Sequence, residues 1–232
     1  TIGTIESVTG GLGTLGRIGG LIGSMGGSSI SDSTSDVDIT LMDTNSGAPG
    51  PVGGFIGQTS SGSLEGHTVN LIEDCTSSGD LTLYEGAYDI GGFIGYMDSP
   101  AQTTINRSSS SGSIQIGVEA MVQVWSSYIG GFVGDMFGWG NEYDLQQTIN
   151  DSSSSTDITV GGSSDKQIGG FAGRMTSSAI ITDSFATGDV STPSTRIDSV
   201  GGFVGSMVGI TIYIPSISGS YSGSTRCAQS NS

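Results

Sequence analysis

The sequence predicts an all-β protein, a β-solenoid of the parallel β-helix type with about six coils of roughly 32–39 residues each. Three observations lead to this prediction. A glycine-rich motif recurs six times along the chain, methionine recurs at one place within it, and no stretch has the 3.6-residue apolar period of a helix. Short β-branched segments separated by Gly, Ser and Asp are typical of strands joined by turns.

The glycine-rich motif consists of a β-branched residue, two glycines, Phe or Leu, an apolar residue and a third glycine. Its copies begin at Ile18, Val52, Ile90, Ile129, Ile168 and Val200. The first glycines stand at 19, 53, 91, 130, 169 and 201, so successive copies are 34, 38, 39, 39 and 32 residues apart. A unit of this length cannot bury its own apolar face, but stacked copies can, with strands about 4.8 Å apart.

Two further features have the same period. Methionine stands two residues after the third glycine in five copies, with Thr59 in the second copy, which predicts an inward-facing column. A second motif, Ile-x-Asp-Ser, begins at Ile30, Ile72, Ile105, Ile149 and Ile181, and a weaker sixth copy begins at Ile217. The glycines are expected to allow either a positive φ or a close backbone approach beside the Phe.

A WD40-type propeller has a similar repeat length. It needs about four strands per copy and a Trp-Asp signature, whereas Trp occurs only at 125 and 139. The solenoid is therefore favoured over a propeller or an irregular sandwich. We expect residues 1–17 to be an N-terminal cap or partial repeat, 18–225 to be six repeats and 226–232 to be a polar tail. A chain that starts at Thr1 suggests a processed protein or a fragment.

The net charge of −16, from 22 acidic and 6 basic residues, argues against nucleic acid and against anionic membranes as partners. No apolar run approaches the roughly 20 residues needed to cross a bilayer, so membrane insertion is not expected. Such acidity fits an exposed protein, one in high salt, or one that binds cations.

The segment Gly201-Gly202-Phe203-Val204-Gly205, together with the Ile-Thr-Asp-Ser-Phe-Ala-Thr-Gly-Asp-Val run of 181–190, resembles the GLUG repeat. The resemblance covers about residues 18–225, and the third copy departs from it at Arg107. GLUG repeats occur in secreted and cell-surface proteins, including bacterial adhesins. The resemblance therefore implies an extracellular or cell-surface location and an accessory, non-catalytic role.

Two columns of aspartate recur with the second motif. Asp32, Asp74, Asp151 and Asp183 form the first, and Asp38, Asp80, Asp157 and Asp189 form the second. Stacked carboxylates repel each other unless they are solvated or bridged, which makes the first column a candidate calcium site. The alternative, which we favour, is that these are turn residues that bond nearby backbone N–H groups. No other cofactor is expected.

Two sequons and two cysteines suggest covalent modification. Asn106 and Asn150 head acceptor sequences for N-glycosylation at equivalent places in adjacent copies. Cys75 and Cys227 are about four coils, or about 19 Å, apart in a solenoid. That exceeds disulfide geometry, so pairing could occur only between subunits. A buried free Cys75 that replaces Ser is the alternative.

An aromatic group flanks the fourth copy: Trp125, Tyr128, Phe137, Trp139 and Tyr143. Such residues could stack on sugar rings or on a partner protein, or pack locally. The Ser108–Ser111 and Ser152–Ser155 runs could offer a hydroxyl face, although threonines look scattered along the chain.

The catalytic inventory is small. His67 is the only histidine and no nucleophile elbow surrounds it, so an enzyme is not expected. The favoured hypothesis is an extracellular structural repeat protein, either an adhesin stalk or a self-assembling filament or sheath subunit, whose partner is itself or a surface glycan or protein. The alternative is a glycan- or ice-binding solenoid.

Overall fold

The computed structural model describes residues 2–7, 16–42, 50–60, 68–84, 87–98, 101–117, 127–138, 146–161, 166–192, 197–209, 215–223 and 227–229. Within these ranges the chain forms strands and no helix. Every strand pairing in the sheets is parallel. The prediction of an all-β solenoid is confirmed.

The strands follow one another in rounds. The first three rounds comprise β1 (Ile2–Ser7), β2 (Ile18–Gly19), β3 (Ile22–Met25), β4 (Ser29–Ser31), β5 (Thr34–Leu41), β6 (Val52–Gly53), β7 (Ile56–Thr59), β8 (Val69–Glu73), β9 (Thr76–Ser77), β10 (Leu81–Leu83), β11 (Asp89–Gly91), β12 (Ile94–Met97), β13 (Gln102–Asn106), β14 (Ser109–Ser110) and β15 (Ser113–Ile116).

The remaining rounds repeat this order. They comprise β16 (Ser127–Gly130), β17 (Val133–Phe137), β18 (Gln147–Asn150), β19 (Ser153–Ser154), β20 (Asp157–Val160), β21 (Lys166–Gly169), β22 (Ala172–Thr176), β23 (Ala179–Thr182), β24 (Phe185–Ala186), β25 (Val190–Thr192), β26 (Ser199–Gly201), β27 (Val204–Val208), β28 (Ser216–Ser218), β29 (Tyr221–Ser222) and β30 (Cys227–Gln229).

Equivalent strands of successive rounds stack into sheets. The anchor sheet is β2-β6-β11-β16-β21-β26, the methionine sheet is β3-β7-β12-β17-β22-β27, and the isoleucine sheet is β4-β8-β13-β18-β23-β28. A twelve-stranded sheet contains two ladders that meet in the long strand β5. The serine ladder runs from β9 to β29 and the outer ladder from β10 to β30.

Strand β1 also pairs with β5, so that Ile5 lies beside Ile39 in the outer ladder. It therefore has the place of the outer strand of a preceding round. The other three sheets begin one round later, at β2, β3 and β4.

The apolar columns fill two core clusters. One contains the stacked phenylalanines, the methionines and the Ile72 column, and the other contains the Ile39 and Ile90 columns. Phe55, Phe93, Phe132, Phe171 and Phe203 form one continuous stack, with successive ring centroids 4.7, 4.7, 4.8 and 4.9 Å apart. This spacing equals the separation of neighbouring strands in a sheet, so each coil places its phenylalanine ring directly above that of the preceding coil.

The motif glycines serve close backbone approach, because none of the described ones has a positive φ. A Cβ on Gly91 would lie 1.9 Å from the Ile94 carbonyl oxygen across the bend, and one on Gly92 would lie 2.1 Å from the Gly131 oxygen in the next coil. The third glycine rests on the anchor strand of the preceding coil. A Cβ on Gly95 would meet the Gly57 oxygen at 2.6 Å and the Val52 nitrogen at 2.7 Å. The anchor and methionine strands thus pack back to back with no room for a side chain.

Replacing Gly95 by Ala should therefore destabilise the fold by about 3 kcal/mol, since the obstructing atoms are backbone and cannot rotate away. Urea unfolding followed by far-UV circular dichroism measures the difference. Gly3→Ala is the matched control, because a Cβ there meets nothing within 4 Å. It should change stability by less than about 0.5 kcal/mol. Equal effects of the two substitutions would contradict the packing role of the motif glycine.

A turn after the methionine strand of the fifth coil contains a strained residue. Ser177 has a φ of 48° and its buried hydroxyl has no hydrogen-bond partner among the described residues. Both features cost free energy, the first because of Cβ crowding in the left-handed region and the second because of desolvation.

Ser177→Gly should raise the unfolding free energy by about 1 kcal/mol, because the two gains exceed the extra backbone entropy of glycine. Thermal or urea unfolding would show the change. The neighbouring Ser178 lacks a positive φ, so Ser178→Gly should bring no gain. A loss of stability in Ser177→Gly would show that the strain assignment is wrong.

Candidate functional site

A charged cluster lies where the anchor strands begin and the methionine strands approach their ends. We call Asp89, Tyr128, Asp135, Phe137 and Arg174 the Arg174 cluster. Back-to-back packing of the two strands brings these residues together from the third, fourth and fifth coils. Asp135 and Arg174 are register partners on β17 and β22, and Asp89 and Tyr128 are register partners on β11 and β16.

Arg174 is the centre of the cluster. Its Nε donates to Asp135 Oδ1 at 3.0 Å and its Nη2 to Asp135 Oδ2 at 2.5 Å, a bidentate ion pair. Its Nη1 donates to the Tyr128 hydroxyl at 2.6 Å. The guanidinium carbon also lies 3.7 Å from the Tyr128 ring centroid and 5.8 Å from that of Phe137. Arg174 is thus held by one carboxylate and two aromatic rings.

The carboxyl groups of the cluster differ in their partners. Asp135 is 2% exposed, and burial raises its pKa while Arg174 opposes the rise. Asp89 is 9% exposed and has no side-chain hydrogen bond among the described residues. Burial and then the Asp135 charge raise the pKa of Asp89 to about 8. At neutral pH the cluster therefore contains one ion pair and one largely protonated acid.

Polar contacts continue from the cluster toward the first coil. Gln58 Nε2 donates to Asp98 Oδ2 at 3.0 Å, and Arg17 Nε donates to Gln58 Oε1. Tyr96 lies between Gln58 and Asp135 in the register of the methionine sheet. Burial, assisted by Asp98, raises the pKa of Tyr96.

The structure places two of the five predicted aromatic residues in this cluster. Tyr128 and Phe137 both face Arg174, whereas Trp125, Trp139 and Tyr143 lie outside the described residues. Sequence reasoning missed Arg174 and Asp135. The signal was present, because both occupy the variable position between the third glycine and the methionine of their copies.

The first aspartate column consists of turn residues. Asp32, Asp74, Asp151 and Asp183 all have φ between 48° and 53°, as does Arg107, and Gly219 continues the column with φ 61°. Asp tolerates the left-handed region better than most residues, which explains its recurrence. Arg107 donates to Asp74 at 2.8 and 2.9 Å, so the third copy replaces a like-charge contact by an ion pair.

The second column caps backbone N–H groups of the next coil. Asp38 Oδ1 accepts from Asp80 N at 2.9 Å, and Asp157 Oδ1 accepts from Asp189 N at 2.8 Å. In the described part of the chain no three His, Cys, Asp or Glu residues are grouped to hold a metal ion. Calcium at the first column therefore stays a prediction, and turn geometry accounts for the described aspartates.

Cys75 occupies a ladder of serine hydroxyls. In other coils Ser108, Ser152 and Ser184 each donate to the carbonyl two residues earlier, at 2.8–3.0 Å, and accept an N–H from the preceding coil at 3.2 Å. Cys75 Sγ lies 3.1 Å from the Glu73 oxygen in the same arrangement. Cys75 is a free, fully buried thiol, and burial raises its pKa. A disulfide between Cys75 and another subunit would require this ladder to open. The Cys227 side chain lies outside the described atoms.

The two sequon asparagines are neighbours in another ladder. Asn150 Nδ2 donates to Asn106 Oδ1 at 3.0 Å, and Asn106 Nδ2 donates to Glu73 Oε1 at 3.1 Å. Both amide nitrogens that would carry a glycan are therefore engaged in the folded chain. Glycosylation stays a prediction.

Two further features were not predicted as sites. Lys166 is fully buried, its Nζ donates to the Gly161 oxygen at 3.1 Å, and burial lowers its pKa to about 8. Threonines that looked scattered in the sequence share an outward column of the outer ladder: Thr40, Thr82 and Thr159, interrupted by Gln115. His67 lies outside the described residues.

These features define a class of protein, a β-solenoid structural repeat protein whose glycine-anchored coils stack in register. A family model described as the GLUG motif matches residues 14–40, so the chain contains a GLUG motif and the resemblance is confirmed over the first copy. No curated protein and no solved structure matched the chain. The part of the chain that the structure describes has no helix long and apolar enough to cross a membrane.

The role of Cys75 as a serine equivalent can be tested. Cys75→Ser should leave stability within about 1 kcal/mol, because a hydroxyl makes the same contact with the Glu73 carbonyl. Cys75→Ala should cost about 1–3 kcal/mol, because the facing Ser33 N–H loses its acceptor and the Glu73 oxygen keeps only the Asp32 N–H. Urea unfolding gives both values. In a Cys227→Ser background, a thiol reagent should react with Cys75 only on unfolding, and fast labelling of the native chain would refute the assignment.

Proposed function

We propose that this chain is a non-enzymatic structural module of an extracellular or cell-surface fibre, an adhesin stalk or a filament or sheath subunit, extended by further coils of the same repeat. The observation that supports this most directly is the exposure of the columns at the ends of the solenoid. Met207 is 45% exposed and Val200 is 37% exposed, whereas their partners Met175 and Ile168 are fully buried.

The phenylalanine column is likewise exposed at its first-coil end. Leu21 stands where the other copies have Phe and is 36% exposed, whereas Phe55, Phe93, Phe132 and Phe171 are fully buried. Among the described strands, the terminal strand of each sheet has a neighbour on one side only, and such an edge favours addition of another strand. Apolar columns and open sheet edges at the same two surfaces are what a further coil would cover.

The first coil of a second copy of the chain has apolar residues at the positions that would cover the exposed columns of the last coil. When β2, β3 and β4 of one chain follow β26, β27 and β28 of the preceding chain, Ile18 lies on Val200, Leu21 on Phe203 and Met25 on Met207. These are the same pairings that join the coils within the chain. In that arrangement β30 of the preceding chain takes the ladder position beside β5 that β1 holds here.

The glycan- or ice-binding alternative has weaker support. The outward threonine column is interrupted by Gln115, and the neighbouring column of the same strands consists of Asp38, Asp80, Ser113 and Asp157. Carboxylates beside the hydroxyls make this face unlike a regular hydroxyl array. The presence of a single histidine in the sequence, His67, supports a structural role over an enzymatic one.

End-to-end assembly should be visible by negative-stain electron microscopy and sedimentation velocity of the purified chain at high concentration. Association should strengthen when residues 1–7 are removed, because β1 then leaves its ladder position open. Met207→Lys should weaken association at least tenfold, since it puts a charge in the apolar contact. Tyr88→Lys is the control, because Tyr88 is 52% exposed but lies in the third coil, away from both ends of the solenoid. Dispersed monomers of both the full and shortened chains would contradict the proposal.

A further inference from the structure

The sharp bend between the anchor and methionine strands joins successive coils by hydrogen bonds that all run in one direction. In the second coil, Phe55 N and Ile56 N both donate to the Phe93 oxygen of the third coil at 3.0 Å. Gly54 N donates to the Gly91 oxygen of that coil at 3.1 Å. The same three bonds recur at all five boundaries between coils, at 2.8–3.2 Å. Each bend therefore donates toward the following coil and accepts from the preceding one.

The bend of the sixth coil has N–H donors that the described chain does not use. Gly202, Phe203 and Val204 occupy the donor positions of this bend, and none of their N–H groups reaches an acceptor among the described residues. The Phe203 oxygen is already engaged, because it accepts from Phe171 N at 2.8 Å and Ala172 N at 3.0 Å. We call Gly202, Phe203 and Val204 the donor end.

The bend of the first coil has the complementary groups. Gly19 and Leu21 occupy the positions of Gly53 and Phe55, whose oxygens accept at the next boundary. No bend N–H of the described chain donates to the Leu21 oxygen, and Leu21 is 36% exposed. The N–H groups of this bend are engaged instead, since Leu21 N and Ile22 N donate to the Phe55 oxygen at 3.0 Å. We call Gly19 and Leu21 the acceptor end.

We propose that copies of the chain join only with the donor end of one copy against the acceptor end of the next, so that the fibre has a single polarity. The polarity rests on the end-to-end assembly proposed above and gives that contact a defined chemistry. Phe203 N and Val204 N donate to the Leu21 oxygen of the next copy, and Gly202 N donates to its Gly19 oxygen. A contact between two different surfaces leaves one of each free, so growth continues as an open filament.

Contact between two like ends is disfavoured by the same groups. Two donor ends would place N–H groups against N–H groups, and two acceptor ends would place oxygens against oxygens. Polar groups that lose water without gaining a partner cost free energy, so neither contact is stable. The exposed apolar side chains do not select a direction, because Leu21 and Met207 can cover an apolar surface in either orientation. The direction is therefore decided by the hydrogen bonds of the bend.

The test uses two variants, each altered at one end, in the full chain and in the chain shortened by residues 1–7. Val204→Pro removes one N–H of the donor end and breaks no hydrogen bond within the described chain. Leu21→Lys puts a charge into the contact at the acceptor end. Each variant alone should sediment as a monomer under conditions in which the parent chain forms fibres. An equimolar mixture should form dimers and nothing larger, because it contains only one intact end of each kind per pair.

Ala172→Pro is the matched control for the donor variant. It lies at the same position one coil earlier, where the N–H donates to the Phe203 oxygen at 3.0 Å. Ala172→Pro should therefore lower the urea midpoint of the monomer, whereas Val204→Pro should leave it unchanged. If Val204→Pro does not fold, Met207→Lys replaces it as the donor-end variant, with the same result expected in the mixture.

Three results would overturn the polarity while end-to-end assembly stands. These are dimers of either variant alone, species larger than a dimer in the mixture, and a mixture that stays monomeric although the parent chain forms fibres. Dispersed monomers of both parent chains would instead contradict end-to-end assembly as a whole, and the polarity with it. The two failures are therefore distinguishable.

Discussion

In every coil, the backbones of the anchor and methionine strands approach too closely to leave space for any Cβ between them. The rest of the cross-section follows from this contact. The third glycine lies against the anchor strand of the preceding coil, so the chain must turn back within two residues, and the phenylalanine at that turn is directed into the core. Identical turns at a spacing of 4.7–4.9 Å then stack the rings. The same contact aligns the beginning of one strand with the end of the other, where the Arg174 cluster lies.

Departures from the repeat are matched by changes in neighbouring coils. Thr59 takes the place of methionine in the second copy, and it accepts a hydrogen bond from the buried Thr103 hydroxyl at 3.1 Å. Thr103 in turn accepts from Asn70 Nδ2 at 3.3 Å. In the turn column, Arg107 replaces aspartate directly beside Asp74. The nearest partners of a polar or charged residue in a ladder are the equivalent residues of the adjacent coils. A polar substitution is therefore tolerated when one of these neighbours can form a hydrogen bond or ion pair with the new side chain.

The solenoid and its apolar columns could be predicted from the sequence, because side chains that repeat with the coil period must lie above one another. The sequence was also sufficient for the turn role of Asp32 and its equivalents, since Asp suits the left-handed region. It could not show that Asp135 and Arg174 meet, because the two are 39 residues apart and occupy a position with no fixed residue type. The threonine column was missed because the corner connections differ in length, so equal spacing in space is unequal spacing in sequence.

The residues of the Arg174 cluster do not recur in the other coils. The cluster is therefore the part of the described structure that the repeat does not account for. The glycines, the phenylalanines and the apolar columns recur because every coil packs against its neighbours in the same way. These recurring residues identify no ligand. The variable position between glycine and methionine is Gln58, Tyr96, Asp135 and Arg174 in successive coils, although it lies beside a strand contact that tolerates no variation. Burying Asp135 and Arg174 gains little stability over an apolar pair of similar size, because desolvation offsets their attraction. The gain in stability over an apolar pair therefore does not explain why this one position carries a buried ion pair between the fourth and fifth coils.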